Sequence, residues 1–141
     1  MPSHILLTGS NGLLGQKVIN LLADRLQVEL TAVGRGANRH PLREGYTYEK
    51  LDLTDKDAVT ALFERIKPTA VIHTAAMTQV DACEDDRALC DAVNIDATAH
   101  LAQLCNIHGS HMVHISTDFI FDGENGPYKE QDTPNPVNYY G

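Results

Sequence analysis

Apolar positions recur along this chain in two alternating rhythms. Residues 4–8 form a short apolar run that ends in a glycine-rich turn, after which Leu14, Val18, Leu21 and Leu22 follow at helical spacing. The expected order is strand, turn, helix. Residues 29–33 predict a second strand, and the loop after it, 34–45, is rich in Gly, Arg and Pro, which disfavours regular structure and suits a ligand-facing segment. A weaker strand over 46–51 leads to Thr54, the expected N-cap, with Asp55 and Asp57 in the first turn complementing the helix dipole. The helix it opens carries Val59, Leu62, Phe63 and Ile66 at i, i+3, i+4, i+7, and Pro68 closes it. A strand at 70–74 precedes a long helix over 85–107, marked by Leu89, Val93, Ala97, Leu101, Leu104 and Cys105 and stopped by Gly109. A fifth strand is expected at 112–116. Beyond Thr117 the period is lost among Gly123, Gly126, Pro127, Pro134 and Pro136, which reads as a long functional loop.

Strands alternating with helices imply crossover connections and a parallel sheet covered on both faces. The fold class is α/β, doubly wound, and ligands of such sheets bind beyond the carboxyl ends of the strands. The segments to search are therefore those after Thr8, Val33, Leu51, Thr74 and Ser116.

Composition narrows the partners. The 141 residues include 11 Lys plus Arg against 19 Asp plus Glu, a formal charge of −8. With no basic cluster, this balance disfavours a nucleic-acid backbone. The apolar runs are far shorter than the ~20 residues of a membrane span, and no basic-then-apolar leader precedes the first strand, so a cytoplasmic protein with no membrane association is expected. Cys83, Cys90 and Cys105 are odd in number and unpaired in spacing, as expected of buried packing residues in a reducing compartment. The seven histidines are scattered; His111 and His114 fall on a strand with opposite or buried orientations, and no metal site is expected. The acidic run Asp81, Glu84, Asp85 and Asp86 reads as a solvated helix start.

Chemistry concentrates at the strand ends. Thr8-Gly9-Ser10-Asn11-Gly12-Leu13-Leu14-Gly15 joins the first strand to the first helix with G-x-x-G-x-x-G spacing. Gly9 would permit the tight turn, Gly12 the approach of a pyrophosphate to the backbone, and Gly15 close packing of helix on strand. The helix N-terminus then offers donors and a favourable dipole to the phosphates. About 20 residues on, where a carboxylate would accept from a ribose 2′-hydroxyl, stand Gly34 and Arg35. A guanidinium there suits a 2′-phosphate, pointing to NADP, with NAD as the other candidate. Arg39 and Arg43 could share the role, and a solvated loop arginine is the plain alternative. Asp52, followed by Leu53, could accept from an adenine amine or simply shape a turn. The small residues around Ala75 and Ala76 would let a dinucleotide lie against the backbone or merely allow close packing. Thr117 and Asp118 end the fifth strand, where a hydroxyl could meet a substrate carbonyl or a polar turn could form. Asn94, a poor helix former within the long helix, would bond backbone or water in the interior, or stand exposed.

The segments TGSNGLLG, HTAAMTQVDACE, AVNIDATAHLAQLC, HISTDFIFDG and PYKEQDTPNPVNYYG occur in the order found in extended short-chain dehydrogenases, and the chain resembles their dTDP-4-dehydrorhamnose reductase branch over almost its whole length. The resemblance implies a Rossmann-like NAD(P)-binding domain over 1–141, incomplete at its C-terminus and without its substrate domain. It assigns Gly9, Asn11, Gly12, Leu13, Leu14 and Gly15 to the phosphate loop, Asp52 and Leu53 to the adenine site, and Ala75, Ala76, Met77 and Ile115 to the nicotinamide side. Thr117 matches the catalytic hydroxyl, Asp118 a substrate contact, and Tyr140 the catalytic tyrosine of a Y-x-x-x-K motif; Tyr139 is out of register. The implied activity is hydride transfer to the C4 ketone of a nucleotide-linked 4-keto-6-deoxy sugar in dTDP-rhamnose formation. The motif's lysine would lie beyond Gly141, so the chain alone is expected to be inactive. An incomplete sheet would leave an edge strand exposed, giving marginal stability or self-association, with a homodimer as the candidate assembly. The beta subunit of methionine adenosyltransferase resembles the same branch, so a non-catalytic regulatory role is the alternative reading.

Overall fold

Five strands carry the frame in the computed structural model, which describes residues 2–141. They are β1 (Ser3–Thr8), β2 (Val28–Gly34), β3 (Thr47–Lys50), β4 (Ala70–His73) and β5 (His111–His114), hydrogen-bonded in the order β3-β2-β1-β4-β5. Every neighbouring pair is parallel. The chain therefore has the doubly wound, Rossmann-like architecture that the alternating pattern predicts. Thr8 pairs with both Val33 and His73, and His73 pairs with His114. That register brings four strand ends level, so the loops following them open along one edge of the sheet.

Side chains on successive strand residues divide between the two faces. Leu6, Val33 and Val71 pack with Val59, Leu62 and Phe63 of helix α2 (Lys56–Ile66) and with Leu101, Leu104 and Cys105 of helix α5 (Ala97–His108). Their neighbours Leu7, Ala32 and Ile72 face the other way, toward Ile19 of helix α1 (Leu13–Leu22) and Ala23 at its end. Each fully buried Leu, Val or Phe contributes about 1.5–3 kcal/mol relative to exposure. The loop over 34–46 completes this second face through Leu42 and Tyr46. β5 is an edge strand, and Val113 and Ile115 are each nearly half exposed.

Several boundaries differ from the expected ones for local reasons. Asp55 rather than Thr54 caps α2, its side chain accepting from the Ala58 amide at 3.0 Å. Thr54 is instead drawn into a turn around Asp52 Oδ1, to which its amide and hydroxyl donate. The single helix expected over 85–107 is replaced by α3 (Val80–Asp85), α4 (Arg87–Asp91), a π-helical turn over Ala92–Asp96, and α5. The break falls at Asp86, whose carboxylate caps α4 through the Leu89 amide at 3.0 Å, a side-chain bond that competes with helix continuation. β5 begins and ends earlier than expected, and a 3₁₀ turn over Asp118–Ile120 interrupts the long loop. His111 and His114 are both exposed. All three cysteines are buried free thiols, as their spacing suggested. Among the described residues no helix is long and apolar enough to cross a membrane.

Candidate functional site

The glycine turn is shaped by contacts too close for any side chain. Gly9 adopts φ +70°, and a Cβ there would stand 2.6 Å from the Ala75 amide nitrogen. A Cβ on Gly15 would stand 2.3 Å from the Gly9 carbonyl, so Gly15 lets α1 settle on the turn itself rather than on the strand. Gly12 forms the N-cap of α1 with no side-chain cap, and the first turn holds no acidic residue. Leu13 and Leu14 are exposed. The helix thus begins with unpaired amide donors and an uncompensated positive dipole end.

This end of α1 opens on a cavity of about 410 Å³ lined by Gly9, Asn11, Gly12, Arg35, Arg39, Asp52, Leu53, Ala75 and Ala76, among others. The register of β1, β2 and β4 accounts for that convergence, because each contributes the loop at its carboxyl end. The Thr54 amide donating to Asp52 holds its carboxyl below the usual value; partial burial opposes this, and the Thr54 hydroxyl and Arg35 reinforce it. Neither Arg35 nor Arg39 forms an ion pair among the described residues. An uncapped helix start, two unpaired guanidiniums and one carboxylate suit a phosphate-bearing dinucleotide. Arg43 takes no part in the lining; its guanidinium donates to the His40 carbonyl.

A second cavity, about 250 Å³, adjoins the first at Ala75 and Ala76 and brings together Ile115, Thr117, Tyr139 and Tyr140. Thr117 caps the 3₁₀ turn, its oxygen accepting from the Phe119 amide at 3.2 Å, while its hydroxyl has only a long 3.4 Å contact to Asp118. The Tyr140 ring meets Phe119 edge-on at 5.6 Å between centroids. Tyr139 lines the same cavity with its hydroxyl already committed: the hydroxyl donates to Asp91 at 2.8 Å, its backbone amide donates to Glu84 at 2.8 Å, and Arg87 lies over its ring. Glu84 therefore does more than solvate a helix start. Asp118 is exposed and does not line this cavity, whereas Thr117 does.

Asn94 resolves toward the interior reading. It accepts from the Met77 amide at 2.8 Å and donates to the Met77 carbonyl at 3.0 Å, which fixes the loop carrying Ala75, Ala76 and Met77. It does so from the π-helical turn, a feature that often marks functional sites. Beneath this loop lies a polar layer that the motifs did not reveal. His73 is fully buried, bonded through Nδ1 to the Thr8 hydroxyl at 2.6 Å and through Nε2 to that of Thr98 at 3.0 Å. Its ring stacks on His114 at 5.2 Å. Burial, and secondarily His114, push its pKa down to about 4, so it is neutral at pH 7. Thr8 on β1 and Thr98 on α5 lie 65 and 25 residues from His73 on β4, so no motif in the sequence joins them.

Residues 3–141 match the family model for the RmlD substrate binding domain. The chain is 38% identical over 137 residues to dTDP-4-dehydrorhamnose reductase of Streptomyces griseus, covering 96% of this chain and 40% of the relative. It is 35% identical over 138 residues to methionine adenosyltransferase 2 subunit beta of Bos taurus, covering 98% and 39% respectively. Among solved structures it superposes on a hypothetical dTDP-4-dehydrorhamnose reductase from Sulfolobus tokodaii with TM-score 0.86 and 38% identity, over 98% of this chain and 48% of the other. It also superposes on Thermus thermophilus UDP-glucose 4-epimerase, solved in complex with NAD, with TM-score 0.81 and 29% identity, over 97% and 46%. The chain spans about 40% of the length of these curated relatives. A doubly wound sheet, an uncapped helix behind the glycine turn and a match over nearly every residue lead to one conclusion: the chain belongs to the RmlD substrate binding domain family.

Proposed function

We propose that this chain is the cofactor-binding portion of an NADP-preferring reductase that acts on the C4 ketone of a nucleotide-linked 4-keto-6-deoxy sugar, as in dTDP-rhamnose formation. The observation that carries the reading is the sharing of one cavity by Thr117 and Tyr140, joined at Ala75 and Ala76 to the cavity holding the glycine turn and Arg35. The amides of Leu13 and Leu14 at the start of α1 would hold the pyrophosphate, Arg35 a 2′-phosphate, and Asp52 and Leu53 the adenine. Ala75, Ala76, Met77 and Ile115 would flank the nicotinamide, which when bound supplies the hydride. Asp118 would meet the sugar from the neighbouring turn.

Tyr140 would donate its phenolic proton to the developing alkoxide. Thr117 is already oriented by the Phe119 amide, which occupies an oxygen lone pair and leaves the hydroxyl proton for the same alkoxide. An ordinary tyrosine titrates near 10, and proton exchange near neutral pH requires a cation beside it. Among the described residues no Lys or Arg lines the cavity that holds Tyr140. Cofactor binding without turnover is therefore expected of these 141 residues alone.

Titration of NADPH and NADH, followed by the fluorescence of the reduced nicotinamide, tests the cofactor assignment. NADPH is expected to bind more tightly, and Arg35→Ala to weaken NADPH by about 10- to 100-fold, the worth of a charge-assisted bond, with little change for NADH. Equal losses for both cofactors would remove the 2′-phosphate assignment. The second reading, a regulatory subunit, draws on the similarity to methionine adenosyltransferase 2 subunit beta. Co-purification with a methionine adenosyltransferase catalytic subunit, without NADPH consumption on a dTDP-4-keto-6-deoxy sugar by the whole protein, would favour it.

A further inference from the structure

The loop after β2 carries both unpaired arginines of the larger cavity yet contains no helix or strand. Over residues 34–39 its backbone is held mainly by two side chains from outside it. The Asn11 amide group lies within hydrogen-bond reach of the Arg35 carbonyl at 3.3 Å, the Ala37 carbonyl at 3.1 Å and the Tyr48 hydroxyl at 3.1 Å. Its Oδ1 accepts from the Arg39 amide at 2.9 Å. The Tyr48 hydroxyl, reaching in from β3, shares its proton between the carbonyls of Gly34 at 3.1 Å and Gly36 at 2.9 Å. Every residue from Gly34 to Arg39 except Asn38 is thus gripped through its backbone by one of these two side chains. Asn38 is held separately, donating to the Tyr46 hydroxyl at 2.8 Å.

The Asn11 side chain has no spare donor for a ligand under this arrangement: its amide protons go to the loop carbonyls and the Tyr48 hydroxyl, and its oxygen already accepts from the Arg39 amide. Tyr48 does not line the cavity at all. Yet between them they set where the guanidiniums of Arg35 and Arg39 originate. Arginine side chains lose less entropy on binding when their backbone is already placed, so fixing the loop raises its affinity for a dianionic group.

We propose that Tyr48 and Asn11 are positioning residues for 2′-phosphate selection: they hold the loop that presents Arg35 and Arg39, and thereby decide the preference between phosphorylated and unphosphorylated dinucleotides. The proposal rests on the NADP reading above. It assigns Asn11 a role in cofactor choice through the loop rather than through contact with the phosphates, and gives Tyr48 a functional role.

Two measurements on the cofactor-free and titrated chain test it. In hydrogen exchange without cofactor, Tyr48→Phe is expected to speed exchange across 34–39 while leaving β1 and β4 unchanged. In titrations, the same variant is expected to weaken NADPH about tenfold, the upper end of the worth of one hydrogen bond, and NADH less than twofold. Because Tyr48 acts through Arg35 and Arg39, adding Tyr48→Phe to a chain carrying both Arg35→Ala and Arg39→Ala should weaken NADPH no further, a non-additivity that direct contact would not produce. Asn11→Ala should reproduce the loss of preference if Tyr48→Phe fails to fold. Faster loop exchange with an unchanged NADPH to NADH ratio, or a further loss on adding Tyr48→Phe to the two arginine substitutions, would overturn the inference. A wild-type chain that binds neither cofactor, or prefers NADH, would instead overturn the NADP reading itself and the inference with it.

Discussion

His73 is held neutral by its surroundings. Buried between the hydroxyls of Thr8 and Thr98 and stacked on His114, it has a pKa of about 4 against 6.5 for a free imidazole. Between those values the unfolded chain takes up a proton that the folded chain refuses. Stability from this residue is therefore intact above pH 6.5 and falls as the pH drops toward 4, by up to about 3 kcal/mol. Urea denaturation at pH 7, 5 and 4 should show that loss, and His73→Gln should flatten it relative to the wild-type curve. Cys83 makes a parallel case: burial, reinforced by the neighbouring Cys90, pushes its thiol up to about 11. Since the thiolate is the reactive form, Cys83 should resist iodoacetamide at pH 7.5 in the folded chain and react promptly in urea, as peptide mapping would reveal. The burial of all three cysteines was legible in their spacing, whereas the confinement of His73 was not. A histidine on a short strand looks the same in sequence whether a neighbouring strand covers it or leaves it in water.

The segment from α3 to α5 shows how element boundaries bear on the site. A single helical phase would place Leu89, Val93 and Ala97 on one stripe, but Leu89 is exposed, Val93 lines the larger cavity and Ala97 is in the interior. The Asp86 cap and the π-helical turn shift the phase between them, and that shift brings Asn94 under the loop at Met77. Asn94→Ala removes two bonds from a partly buried backbone and is expected to cost about 1–3 kcal/mol in thermal or urea unfolding. Asn94→Asp keeps the acceptor for the Met77 amide but faces the Met77 carbonyl without a donor, so it should recover little of the loss. At α2, Asp55→Ala should cost about 1 kcal/mol and Thr54→Ala clearly less, reversing the order that the sequence suggested. The presence of that helix was readable from four apolar positions. Its first residue depended on which of two adjacent oxygen-bearing side chains the turn at Asp52 consumed.

Across the whole molecule, protection should follow the sheet. β1 is bonded on both sides, by β2 and β4, and its residues Leu6, Leu7 and Thr8 are buried. The segment from 121 to 138 contains no helix or strand, and side chains hold it: Tyr128 and Asn135 both donate to Asp122, and Tyr139 pins its end to Glu84 and Asp91. Hydrogen exchange is expected to be slowest in β1 and at the centres of β2 and β4, and fastest over 123–134. Comparable protection in both regions would mean that the long loop is packed far more tightly than its exposed residues indicate.

The alternation of apolar runs with helical stripes by itself determined the α/β class, the presence of five strands and the place of the glycine turn, because those patterns follow from the periods of strand and helix. Arg35 was singled out by its distance from the glycine turn, and Thr117 and Tyr140 through the family resemblance; the structure gives Thr117 and Tyr140 a common cavity and Arg35 the adjoining one. Only the tertiary structure decided that Asn11 and Tyr48 hold the arginine loop, that Asn94 holds Met77, that Glu84 and Asp91 hold Tyr139, and that His73 is buried. Each of these rests on hydrogen bonds between residues 12 to 65 apart in the sequence. A polar side chain can satisfy itself in water at any such position, and its choice of partner becomes definite only once parallel pairing has brought the strand ends level and shut water out between them.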